Sequence, residues 1–281
     1  RDGLRAGVTD ALLHLGAGFL QTKGKGNEAL RKALQTGKTE EGESYTLHLF
    51  YQEMLRLIYR FLFLSTLEER NLLFVHTENE TDLPKDIQLA QTIYTEGYSI
   101  HRLAVRAKKN TNNDRYTDLW QGVKIVFKSL QCGNPQLDLT PLGGLFKLDQ
   151  CPMLDQCELD NTHLLKTVRK LRWCYIDDVF TFTDYRNMDT EEFGSVYESL
   201  LELVPRVDLD SGSFSFVGIG DERGVDEEGK TTGNARKLTG SYYTSSELVQ
   251  CLIESALIPA IEKKVEKEKQ ISLQIKEPFN E

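Results

Sequence analysis

Residues 44–74 read SYTLHLFYQEMLRLIYRFLFLSTLEERNLLF, and the spacing of their apolar members decides the fold class. Leu47, Phe50, Met54, Leu57, Ile58, Phe61, Leu62, Leu64 and Leu67 recur at three and four residues, the period of an α-helix. Apolar side chains occupy most of the circumference, so this helix is expected at the centre of the molecule. Arg56, Arg60, Glu68, Glu69 and Arg70 lie on or beside it. Charges are tolerated inside a protein chiefly when paired, which predicts internal ion pairs.

Helical spacing continues in both directions. Leu4, Val8, Leu12, Leu15 and Phe19 mark a first, Gly-punctuated helix, and residues 27–34 a short second one. Residues 87–105 and 115–130 carry the pattern on, separated by the polar turn 108–114. Residues 132–159 hold Pro135, Pro141, Gly143, Gly144 and Pro152 and read as a structured loop. Helix resumes over 159–173 and again over 189–203, where Asp189 and Glu192 have capping-box spacing ahead of Phe193, Val196, Tyr197, Leu200 and Leu201. Phe214 and Phe216 alternate with serines as in a short strand, and residues 218–234 are acidic and Gly-rich. The expected architecture is mainly α, with at most one or two short strands.

The chain has 281 residues, 34 Lys+Arg and 43 Asp+Glu, a net charge of −9 that excludes a generally basic nucleic-acid coat. With 40% hydrophobic and 27% charged residues it belongs among globular chains rather than disordered ones. The most apolar window, residues 54–67, is interrupted by Arg56 and Arg60 and is too short for a membrane span. Arg1 stands where a methionine would begin a complete chain, which reads as a piece of a longer protein. The five scattered cysteines read as reduced thiols in a cytoplasm. Cys151, Cys157 and His163 miss the usual zinc spacing and lack a fourth ligand, so no metal is expected.

Two motifs fail on their chemistry. Residues 224–231, GVDEEGKT, fit the phosphate-loop pattern letter for letter, but Asp226, Glu227 and Glu228 place negative charge where phosphate would sit. Glu228-Gly-Lys230 and Glu262-Lys-Lys264 match half of a nuclease motif without its Pro-Asp partner. His14, His48, His76, His101 and His163 are isolated in sequence, and no catalytic triad assembles.

One motif holds. Residues 236–245, RKLTGSYYTS, stand immediately before a helix with apolar pairs at Leu248/Val249, Leu252/Ile253, Ala256/Leu257 and Ala260/Ile261. Thr244 and Glu247 have capping-box spacing, and a helix start beside exposed tyrosines suits a charged, aromatic ligand. Here the chain resembles the adenine-specific DNA methyltransferases of fused restriction–modification enzymes and BREX-type phage-defence systems, whose motif X reads RK-x-TGSYYTP. Further similar pieces, in family order, are LRLIYRFLF at 55–63, DLW at 118–120 with Gly122, LGGLF at 142–146, YRNMD at 185–189 and GSVYESLL at 194–201.

The resemblance implies a helical N-terminal domain over 1–205, an acidic Gly-rich loop over 206–235, and a motif X segment over 236–281 leading into an α/β methyltransferase core. It implies a parent enzyme that moves a methyl group from S-adenosylmethionine to adenine N6 of double-stranded DNA, with the base flipped out. Tyr242, Tyr243 and Thr244 are implied to contact that cofactor, with Gly240 and Ser241 shaping the turn. Three departures stand out: Ser245 replaces the family's proline, residues 275–281 read IKEPFNE where a DPACGSG loop is expected, and no NPPY motif occurs. The portion in hand is therefore expected to carry no catalytic residue and to bind the cofactor weakly. Its expected partners are DNA, the rest of the methyltransferase and defence-system subunits. The competing reading is a non-enzymatic helical interaction module.

DNA contact needs a local basic face against the overall −9. Two clusters qualify, Arg102, Arg106, Lys108, Lys109 and Arg115, and Lys166, Arg169, Lys170 and Arg172. Each is either a DNA-contacting surface or a solvated helix face.

Overall fold

The structure is a computed structural model that describes residues 2–75, 83–109, 114–176, 179–188, 190–201, 203–217 and 246–265. It is mainly helical, as the apolar periodicity predicts. In chain order the helices are α1 (Asp2–Gln21), α2 (Lys25–Thr36), α3 (Leu47–Glu69), α4 (Lys85–Gly97), α5 (Ile100–Lys108), α6 (Asp118–Cys132), α7 (Asn161–Arg172), α8 (Thr190–Leu201) and α9 (Ser246–Leu252). The last passes through a π-helical turn, Ile253–Leu257, and continues as α-helix over 258–265. Among the described residues the strands form two antiparallel hairpins, β1 (Trp173–Ile176) with β2 (Val179–Phe182) and β3 (Pro205–Asp208) with β4 (Ser213–Phe216). Among the described residues four short strands are present where the spacing suggests one or two, and the hairpin 205–216 lies across the expected boundary at residue 206. Among the described residues no helix is long and apolar enough to cross a membrane.

α3 is the axis. Thr46 caps it by accepting from the Leu49 amide at 3.3 Å, and Phe50, Met54, Leu57, Ile58, Phe61 and Leu64 are all but completely buried. Its charges are consumed by neighbouring segments. Arg60, 1% exposed, pairs with Asp155 at 2.6 Å, donates to the Leu145 carbonyl at 2.8 Å and lies 5.2 Å over the Phe127 ring. Glu53 accepts from the Met153 and Leu154 amides at 3.1 and 2.9 Å and from the Tyr45 hydroxyl at 3.3 Å. Burial outweighs these bonds and raises the Glu53 carboxyl to about 6. Glu69 pairs with Arg172 and accepts from the Tyr185 and Arg186 amides. The expectation of internal ion pairs therefore holds for Arg60 and Glu69, whereas Arg56 and Arg70 donate to backbone carbonyls instead.

Glu68 changes the path of the chain. Its carboxylate accepts from the Tyr94 hydroxyl at 2.6 Å and from the Ile100 and His101 amides at 2.8 and 2.9 Å. Those amides, with Ser99 accepting from the Arg102 amide at 3.1 Å, start α5. The spacing over 87–105 predicts one continuous helical pattern; the structure breaks it at Tyr98–Ser99 because a carboxylate from α3 supplies acceptors for a new helix start.

The loop 133–160 is folded against α3 through 3₁₀ turns at Pro135–Leu137, Gly144–Phe146 and Leu154–Gln156. Cys151 and Cys157 are buried within it, their thiols directed at the Glu53 and Met153 carbonyls, and burial pushes both up to about 12. Neutral thiols in apolar surroundings are inert side chains of the core. α6 adds the fully buried Trp120, which meets Phe19 edge-on at 5.7 Å and donates to the Cys157 carbonyl. The β3–β4 hairpin closes the core with Phe214 and Phe216. Phe214 fits against Gly16 of α1, where any β-carbon would collide with the ring.

Candidate functional site

Where α1, α7 and the β1–β2 hairpin meet, the surface opens into a cleft of about 520 Å³. α1 approaches α7 closely because residue 7 is glycine: a β-carbon there would strike the Lys170 carbonyl oxygen. On α7, Lys166, Arg169 and Lys170 are spaced three and four apart and share one face. On α1, Asp10 and His14 are four apart and line the opposite wall. The chain leaves α7 directly into β1, and Trp173 and Phe180 form the aromatic third wall, stacked at 5.1 Å between ring centres and 17° between planes.

The charges of the cleft are held but not neutralised. Lys170 pairs with Asp10 at 2.5 Å, and both side chains are about half exposed. The Arg169 guanidinium lies 5.0 Å over the Phe180 ring. Among the described residues neither Lys166 nor Arg169 has a carboxylate at ion-pair distance. The His14 pKa is lowered by burial first and then by Lys166 and Lys170, which favours the neutral ring. The walls thus present three cations against one carboxylate in a chain that is acidic overall.

Trp173 joins the two basic clusters. Its indole N–H donates to the Ala104 carbonyl of α5 at 3.0 Å, and Lys108, at the end of α5, places its ammonium 4.7 Å over the indole. Arg106 is half-buried, while Lys109 and Arg115 are exposed. Arg102 is half-buried with its Nε unpartnered, and burial, then Arg106, lowers its pKa.

Arg172 is a correction to the predicted DNA-contacting set. It is 1% exposed, paired with Glu69 and laid over the Phe182 and Tyr185 rings at 4.3 and 4.7 Å. Two of its nitrogens, Nε and Nη1, have ring faces rather than hydrogen-bond partners around them. A side chain so enclosed cannot reach phosphate. The proposed cofactor residues Gly240, Ser241, Tyr242, Tyr243 and Thr244 lie outside the described residues, as do His76, Asp189 and the phosphate-loop look-alike 224–231. Asp10, His14, Trp173 and Phe180 are site residues that the spacing did not identify. A basic last turn running straight into tryptophan was the available signal for one of them.

A second cavity, about 410 Å³, is lined by Glu68, Glu69, Tyr94, His101, Asp184 and Arg186 among others. Its two glutamates already serve backbone amides and a hydroxyl, as the fold requires.

Comparison with protein-family models, curated proteins and solved structures finds no match to this chain.

Proposed function

We propose that this chain is the helical N-terminal portion of a site-specific DNA adenine-N6 methyltransferase that uses S-adenosylmethionine and serves restriction–modification or phage defence. The observation that carries the reading is RKLTGSYYTS at 236–245, preceded in order by the other family-like pieces. The helix that follows it adds support. Leu248, Val249, Leu252, Leu257, Ile258 and Ile261 are 42–61% exposed, a run of apolar side chains that calls for a further body of protein. In the parent that body is the α/β core. Within this reading Lys108, Lys109 and Arg115, on open surface, meet DNA phosphates. The catalytic groups belong to the core, so this portion orients DNA and closes over the cofactor without doing chemistry.

The test is transfer of a labelled methyl group from S-adenosylmethionine to duplex DNA by the protein of the complete reading frame. Label is expected in N6-methyladenine. The double variant Tyr242→Ala, Tyr243→Ala should lose at least about tenfold in cofactor affinity, the equivalent of roughly 1.4 kcal/mol of aromatic contact. Absence of transfer by the unmodified protein overturns the proposal. The apolar side of α9, exposed among the described residues, would then favour the non-enzymatic interaction module, which docks a partner protein there.

A further inference from the structure

The cleft between α1, α7 and the first hairpin is concave, cationic and aromatic, and these three properties together restrict what it can hold. Its volume of about 520 Å³ lies inside the range of small-ligand pockets, roughly 300–1,000 Å³. Lys166, Arg169 and Lys170, offset by Asp10, leave an excess of two positive charges on its walls. A phosphomonoester carries about −1.5 to −2 at pH 7, which matches that excess better than the single charge of a backbone phosphodiester. Arg169 offers a planar fork of donors and Lys166 a mobile ammonium, the pairing suited to phosphate oxygens. Both are free of carboxylates among the described residues, so neither must first break an ion pair. Lys170 is steadied by Asp10 at 2.5 Å, and the neutral His14 ring adds a hydrogen-bonding group without further charge. Trp173 and Phe180 complete the cleft with an aromatic wall; the two rings stack on each other, with Lys108 over Trp173 and Arg169 over Phe180, so a planar ring meets this wall at the ring edges.

We propose that this cleft is a binding site for a 5′-phosphomonoester of mononucleotide size, its phosphate held by Lys166, Arg169 and Lys170 and its ring packed against Trp173 and Phe180. The site does not depend on the methyltransferase reading and stands or falls separately from it. The ligand is either a free nucleotide or the phosphorylated end of a nucleic-acid strand, and both present the same group.

Calorimetric titration of the whole chain with adenosine 5′-monophosphate, adenosine and inorganic phosphate tests the proposal. The monophosphate is expected to bind in about the micromolar to millimolar range, and adenosine at least roughly tenfold more weakly, for want of the charge-assisted bonds. Lys166→Glu and Arg169→Glu should each weaken the monophosphate by roughly tenfold or more while the thermal midpoint stays in place. Lys166 is exposed, so its reversal tests the site even where the Arg169 variant folds poorly. Displacement of the monophosphate by a 5′-phosphorylated oligonucleotide, and not by its unphosphorylated twin, assigns the strand end; failure of both to displace it assigns the free nucleotide. No heat with the monophosphate at millimolar concentration, equal affinity for adenosine, or affinity undiminished in Lys166→Glu overturns the assignment.

Discussion

The charges of α3 and the charges of α7 that face the cleft are the same kinds of side chain put to opposite uses. On α3, Glu53, Arg60, Glu68 and Glu69 are each bonded to backbone groups of distant segments, so they fix where those segments lie. On α7, Lys166 and Arg169 bond no carboxylate among the described residues and fix nothing comparable. Both uses occur within α7 itself. Arg172 is buried against Glu69 and two rings, while Arg169, three residues earlier, looks into the cleft. A buried charge that organises loops cannot be removed without leaving its partners stranded, whereas a charge at a cleft can be reversed with the fold intact.

Arg60→Ala attacks the anchored side of this contrast most directly. It strips Asp155 and the Leu145 carbonyl of their partner inside the core, and urea denaturation should show a loss of about 3 kcal/mol or more. A loss below 1 kcal/mol would mean that the loop 133–160 holds its place without α3.

Glu53→Gln sharpens the contrast through pH. The folded carboxyl is raised to about 6 from the ordinary 4.5, so the native state keeps a proton that the unfolded chain gives up earlier. The contribution of Glu53 to stability is therefore complete below about pH 4.5 and is lost as the pH rises through 6. The shift corresponds to about 2 kcal/mol. Between pH 4 and pH 7 the stability of the variant relative to the parent should improve by that order, because glutamine does not titrate. A difference independent of pH would show that Glu53 ionises as freely in the fold as in the unfolded chain.

Lys166→Glu is the smallest of the three. With an exposed side chain and no carboxylate partner among the described residues, its reversal should move the unfolding free energy by no more than about 0.5 kcal/mol. A larger destabilisation would place Lys166 with the anchoring charges.

Much of the helical framework was legible because its signal is local. The period of Leu47 to Leu67 implies a helix whatever surrounds it, and apolar residues on most sides imply that it is covered. The hairpins were harder to read. Trp173–Phe182 carries no Gly or Asn turn signal, and Pro205–Asp208 becomes a strand only by pairing with Ser213–Phe216. The break before α5 was illegible for a different reason. Its acceptor, Glu68, sits 32 residues before the Ile100 amide that it caps. The candidate site was half visible: the spacing put Lys166, Arg169 and Lys170 on one face, but it gave Arg172 the same status.

By itself the sequence determined a mainly helical protein with α3 at its centre, since hydrophobic period and coverage are properties of consecutive residues. Tertiary structure alone decided which cations are enclosed and which face water, that α1 approaches α7 at Gly7, and that Trp173 and Phe180 stack beside Arg169. The physical reason is that charge and ring type are written in each residue, whereas burial and partnership depend on segments that meet only once the chain has folded.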